Sequence, residues 1–134
     1  MSQLTELQHE ELKDVLVDCH KSLKKFCLTF FPDAFYLPFS SLHDQIFDVI
    51  DNCDRQQILI KAPRGLGKST IINLAYAVKE IVYRDTNYLI QASASSDQAI
   101  ADSDDVKDAL LHNETINQVF GNFKPTERED KFSK

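Results

Sequence analysis

Two apolar runs of different length are connected by a glycine-containing loop in residues 56–84, QQILIKAPRGLGKSTIINLAYAVKEIVYR. The short run QQILIKA at 56–62 has the length and β-branched character of a buried parallel strand. The longer run at 68–83 is apolar on most sides, which predicts a buried helix. This order of elements limits the chain to folds in which a strand leads directly into a helix.

The loop between the two runs, APRGLGKST at 62–70, differs from the phosphate-binding pattern G-x-x-x-x-G-K-[ST] only at Ala62. Small residues in such loops let backbone N–H groups face an anion, and the helix that begins there adds its own free N–H groups. The lysine reaches the outer phosphates, and the following hydroxyl binds Mg²⁺. We therefore predict an ATP and Mg²⁺ site, with Ser69 holding the metal through the nucleotide, formed by Arg64, Gly65, Leu66, Gly67, Lys68, Ser69 and Thr70.

Ala62 and Arg64 are the unusual members of the loop. Alanine can replace the first glycine if its φ is negative, and Pro63 stiffens the turn that follows. Arg64 has two interpretations: a cation near the γ-phosphate or a neighbouring subunit, or a solvated or structurally paired side chain.

A second strand is predicted at 86–94, so that 57–62, 68–83 and 87–93 form a βαβ unit with a right-handed crossover. The fold class is therefore α/β. We expect a P-loop NTPase-type βαβ core with a parallel sheet, incomplete at two strands and preceded by two helices.

The remaining patterns are helical. Helical spacing predicts one helix over 3–31, starting near residue 5 at a Thr5–Gln8 capping box, and a second from Ser41 to about residue 52. An amphipathic helix is predicted over 96–113 with Ser96 as its N-cap, followed by a short helix that ends at Gly121. The predicted domain organisation is an ATPase-domain part over 1–123, with a helical lead-in at 1–55 and a βαβα core at 56–123, and a disordered tail at 124–134.

The composition limits which binding partners and which cellular compartment we expect for this chain. The net charge of -6 argues against a surface that coats nucleic acid without specificity, although a local basic groove is compatible with it. Three cysteines, Cys19, Cys27 and Cys53, form no C-x-x-C pair, which favours reduced thiols in a cytosol. No apolar run approaches the roughly 20 residues of a membrane span.

Aromatic residues precede the second helix in PDAFYLPFSSLH. Phe35, Tyr36 and Phe39 could form the wall of a base pocket or pack in the core. His43 lies at the start of that helix and could simply open it.

Catalytic carboxylates are not found. ATP hydrolysis in P-loop enzymes uses an Asp and a Glu at the end of another apolar strand, and no such run occurs here. The acidic residues of the 96–113 helix are predicted to form a solvated face: Asp97, Asp102, Asp104, Asp105 and Asp108. We identify no catalytic residue and expect this chain to bind ATP without efficient hydrolysis.

The loop sequence APRGLGKST resembles the deviant phosphate loop of the large terminase subunit of tailed bacteriophages. Two flanking stretches are also similar to that family, FSSLHDQIFDVID before the loop and NYLIQASASSDQAIADSDDVKDALLHNETINQVFG after it, and the resemblance covers about residues 24–123. It implies the ATP-binding part of a motor that moves double-stranded DNA into a viral capsid in the host cytoplasm. The implied partners are a portal protein, a small terminase subunit and like subunits in a ring, with no membrane. The resemblance also implies that His43 lies close to an adenine, and we expect the family's separate nuclease domain to have no counterpart in this chain.

Two alternatives stay open. The chain could be a small P-loop NTPase or kinase of another family, or a non-catalytic terminase remnant that acts as an interaction module.

Overall fold

The computed structural model describes residues 6–52, 54, 56–121 and 123, and it is built from helices. The Thr5 cap and the predicted tail at 124–134 lie outside these residues. The helices, in chain order, are α1 (Glu6–Lys21), α2 (Leu23–Phe30), α3 (Ser41–Asn52), a π-helical segment (Thr70–Tyr76) that continues directly as α4 (Ala77–Val82), α5 (Ser96–His112) and α6 (Glu114–Phe120).

The predicted parallel sheet is wrong: across the described residues, no strand is formed. The two apolar segments, 57–62 and 87–93, have no backbone–backbone hydrogen bonds in the described part of the chain. Leu59 is 81% exposed and Ile90 77% exposed, so these segments are not buried. A parallel sheet needs cover on both faces, and two strands alone are marginally stable at best, which is why the βαβ core does not form here.

The predicted helix over 3–31 is also corrected, because it breaks at Ser22. The Ser22 backbone is extended, with φ -130° and ψ 110°, and its side chain accepts a hydrogen bond from the Lys25 N–H. The Asp51 carboxylate of α3 accepts the Leu23 N–H, with both oxygens at 3.2 Å. These two acceptors satisfy the free donors at the start of α2, so the chain begins a new helix there.

The other helix predictions are largely confirmed. Helix α3 ends at Asn52, where its end was predicted, and α6 is followed by Gly121, which has φ 97°. The N-cap of α5 is Ser95 rather than the predicted Ser96, and its side chain accepts the Gln98 N–H. The predicted helix over 68–83 is present, but its first part is π-helical.

The hydrophobic core lies between α2, α3 and the helix that follows the loop. Phe26, Leu23, Ile71 and Val78 are almost completely buried, and α2 packs against both α3 and the π-helical segment. Helix α5 packs across the π-helical segment and α4, and Val106 joins the core from that side. The helix that carries the loop is therefore held on two sides, which fixes the position of the loop.

None of the helices in the described part of the chain has both the length and the apolarity needed to cross a membrane.

Candidate functional site

Two glycines give the loop at 62–70 its shape. Gly65 has φ 83° and Gly67 has φ 75°, a region that residues with a Cβ rarely adopt. A Cβ built at either position would meet no atom within 4 Å, so the backbone angle and not crowding requires glycine. Among the described residues, Arg84 is the non-glycine residue with positive φ, so Ala62 meets the condition under which alanine can replace the first glycine.

The helix begins immediately after the loop. Its first hydrogen bond runs from the Ile71 N–H to the Gly67 carbonyl at 3.0 Å. The N–H groups of Lys68, Ser69 and Thr70 precede that bond and have no acceptor within the helix. Free N–H groups at a helix start attract anions, so the backbone supplies the donors that a phosphate needs.

Lys68 folds back across the loop. Its Nζ donates to the Ala62 carbonyl at 2.5 Å, which joins the last part of the loop to its first residue. A cavity of about 310 Å³ is lined by residues 63–69, including both glycines and Lys68. The structure therefore brings six of the seven predicted binding residues, Arg64 to Ser69, to one hollow.

Three of the seven predicted residues, Arg64, Ser69 and Thr70, differ in their exposure. Arg64 is exposed and forms no ion pair within the described part of the chain. Ser69 is exposed, and Thr70 is half-buried on the side that faces α5.

An aromatic cavity lies on another side of the loop. It measures about 220 Å³ and shares Gly65, Leu66 and Gly67 with the hollow lined by residues 63–69. Its wall includes the aromatic residues of the connector before α3, together with the histidine of that helix: Phe35, Tyr36, Phe39 and His43. Phe35 and Phe39 are half-buried and in ring contact, with centroids 5.6 Å apart, so they pack against the core and line the cavity at once.

His43 links this cavity to the loop. Its Nε2 lies 2.6 Å from the Leu66 carbonyl, and its Nδ1 accepts the Ser40 N–H at 2.9 Å. A carbonyl can only accept and an N–H can only donate, so these partners assign a neutral imidazole with the proton on Nε2. The contact joins residues 23 positions apart, and no local sequence pattern could have revealed it.

Two carboxylates also approach the helix start. Asp102 and Asp105 of α5 line a cavity of about 170 Å³ together with Ser69, Thr70 and Asn73. Asp102 is half-buried and accepts hydrogen bonds from Asn73 at 3.3 Å and from Gln98 at 2.9 Å. The prediction of a solvated face is therefore wrong at Asp102, because its carboxylate connects α5 to the helix that follows the loop.

The donor set suits a magnesium nucleotide. Hydroxyl and carboxylate oxygens are the ligands that Mg²⁺ prefers, and it usually binds through one or two carboxylates, waters and substrate phosphates. Among the described residues, no three His, Cys, Asp or Glu side chains form a metal-holding group. The role of Ser69 as a Mg²⁺ ligand that acts together with the nucleotide stays a prediction.

Comparisons with protein-family models, with curated proteins and with solved structures find no match to this chain.

Proposed function

We propose that the loop at 62–70 binds the triphosphate of ATP together with Mg²⁺. The single observation that carries the proposal is the loop conformation, in which two glycines with positive φ lead into a helix start with three free N–H groups. The aromatic cavity shares three residues with this hollow and is suited to a planar base, because aromatic rings stack on such rings.

We further propose that the chain is the ATP-binding part of a viral DNA-packaging motor of the large-terminase type. The support is the sequence APRGLGKST, whose two glycines have positive φ and lead directly into a helix start. Double-stranded DNA, a portal protein, a small terminase subunit and like subunits are the partners that this function would require, in the cytoplasm of the host.

Nucleotide binding is tested by titrating the purified chain with ATP and Mg²⁺ up to millimolar concentration. Lys68→Ala is expected to weaken binding by roughly 10- to 100-fold, because a hydrogen bond to a charged group is lost. Lys61→Ala is the matched control, since this exposed lysine precedes the loop by one residue, and it should bind like the wild type. A wild-type chain that binds no ATP at millimolar concentration would refute the proposal.

Hydrolysis of ATP is tested separately from its binding. No apolar run followed by Asp-Glu occurs in the sequence, so phosphate release by the purified chain should stay at background. Measurable hydrolysis that Lys68→Ala abolishes would show that another acidic residue polarises the water.

A second candidate function is a non-catalytic interaction module of the same type. One observation favours it: large apolar side chains are exposed on the two apolar segments that flank the loop helix, namely Ile58, Leu59, Tyr88, Leu89 and Ile90. Sedimentation with and without nucleotide separates the two functions, because a chain that associates but ignores ATP would support the module.

A further inference from the structure

We infer that His43 is a positioning residue for the phosphate loop, and that it presents the Gly67 N–H to a bound phosphate. The inference rests on the nucleotide binding proposed above and adds a role for a residue outside the loop motif. It begins from the hydrogen bond of 2.6 Å between His43 Nε2 and the Leu66 carbonyl.

The Leu66 carbonyl and the Gly67 N–H belong to one peptide unit. The described peptide bonds are trans, and in a planar trans unit the C=O and the N–H point in opposite directions. Because His43 holds the carbonyl, the Gly67 N–H points away from the imidazole. In the described part of the chain this N–H has no hydrogen-bond partner, so it is available to an anion.

The hydrogen bond from His43 restricts a part of the loop that is otherwise free to change its backbone angles. Gly65 and Gly67 flank Leu66, and glycine has the widest backbone freedom of any residue. The peptide between Leu66 and Gly67 could therefore rotate at little cost without an external partner. His43 supplies that partner from α3, a different element of the fold.

The imidazole is itself held in place. Nδ1 accepts the Ser40 N–H at 2.9 Å, and the ring packs on Phe39 with centroids 5.3 Å apart. Phe39 also lines the aromatic cavity, so one imidazole contacts both that cavity and the loop. A group bound in the aromatic cavity and a phosphate bound at the loop would both be sensitive to the position of His43.

Two substitutions separate the two hydrogen bonds of the imidazole. Asn at position 43 keeps a polar atom near Nδ1 and can still accept the Ser40 N–H, but it is too short to reach Leu66. Gln at position 43 places its amide nitrogen near Nε2 and can still donate to Leu66. His43→Asn should bind both ATP·Mg²⁺ and inorganic tripolyphosphate about tenfold more weakly than the wild type, while His43→Gln should stay within about threefold.

Tripolyphosphate, which lacks a base, shows whether the effect belongs to the phosphate loop. A loss that appears with ATP but not with tripolyphosphate would overturn the inference, because it would place His43 at the base. Equal binding by His43→Asn and the wild type would overturn it as well. If His43→Asn does not fold, His43→Phe keeps the ring contact with Phe39, removes both hydrogen bonds, and should show the same tenfold loss for tripolyphosphate.

The amide resonances give a readout that a purely structural role would not move. The chain has three glycines, so [¹⁵N]glycine labelling gives one signal each for Gly65, Gly67 and Gly121. Saturating tripolyphosphate should shift the Gly67 signal in the wild type and in His43→Gln, and shift it less in His43→Asn. The Gly121 signal should stay unchanged in all three proteins; an equal Gly67 shift in all three would contradict the inference.

Failure of the inference is distinguishable from failure of the proposed function. If the wild type binds neither ATP nor tripolyphosphate, the proposed function fails and the inference fails with it. If the wild type binds both, Lys68→Ala binds neither and the His43 variants bind like the wild type, only the role of His43 is refuted.

Discussion

Gly67 is the residue at which the loop conformation is most open to test. Replacing it with alanine would put a Cβ at φ 75°, where the surrounding space is open but the backbone is strained by about 1–2 kcal/mol. Gly67→Ala should therefore lower the free energy of unfolding in urea by about that amount and weaken ATP binding about tenfold, since the loop must change shape to relieve the strain.

Gly121→Ala is the matched control for this change. Gly121 also has positive φ, 97°, and open space around its Cβ position, but it ends α6. It should lose similar stability and keep the affinity of the wild type for ATP. If both variants lose affinity equally, the effect of Gly67→Ala reflects general stability and not the loop.

At the scale of elements, the two apolar segments give the sharpest test of the fold. Leu59→Lys and Ile90→Lys should each change the free energy of unfolding by less than about 0.5 kcal/mol, because both side chains are mostly exposed. Phe26→Ala, which empties a fully buried position in α2, should cost about 3–5 kcal/mol. Urea denaturation of the three variants measures the difference.

The opposite result would have a clear meaning. In a parallel sheet covered by helices on both faces, the side chains of Leu59 and Ile90 would lie on buried strands, and burying an unpaired lysine there would cost several kcal/mol. A loss above about 2 kcal/mol in either lysine variant would therefore contradict the exposed segments and favour the sheet.

The helices could be predicted from the sequence to within one or two residues because their signals are local. The apolar face of α3 and the glycine after α6 lie within a few positions of the helix ends that they set. The break at Ser22 could not be predicted as easily, since part of its stabilisation comes from Asp51, 28 residues away.

The absence of the sheet and the contacts of His43 and Asp102 could not be predicted either, because they depend on residues far away in the sequence. A short run such as ILI has the same pattern in a buried strand and in an exposed extended segment, and only pairing with distant residues decides between them. The loop motif indicated its glycines and Lys68 directly. The hydrogen bond from His43 to Leu66 and the approach of Asp102 to the helix start depend on how α3 and α5 pack.

For the whole molecule, burial of a thiol and two tyrosine hydroxyls makes the free energy of unfolding depend on pH. Burial of Cys27, with a smaller contribution from the Asp51 charge, raises the pKa of this thiol from 9.0 to about 12. The unfolded chain therefore ionises at Cys27 from about pH 9 upward while the folded protein does not. The contribution is complete below pH 9 and is lost as the pH rises towards 12.

The free energy of unfolding should thus fall between pH 9 and pH 12, with a Cys27 share of up to about 1.4 kcal/mol per pH unit. Cys27→Ala removes this titration and leaves the tyrosines, so its profile should be less steep by that share. Burial also raises the pKa values of Tyr76 and Tyr83, which keeps some slope in the variant. Parallel profiles for the two proteins would show that the Cys27 thiol ionises equally in both states.

The exposed apolar segments also affect how the folding of this protein can be observed. Dyes that brighten on apolar surface report unfolding only when the native state hides such surface, and here Leu59, Tyr88 and Ile90 present it in the folded protein. A dye-based melting curve would start from a bright baseline and understate the transition. The sequence contains no tryptophan, so intrinsic fluorescence offers little in its place. Far-UV circular dichroism measures the helices directly and is therefore the suitable signal for unfolding of this protein.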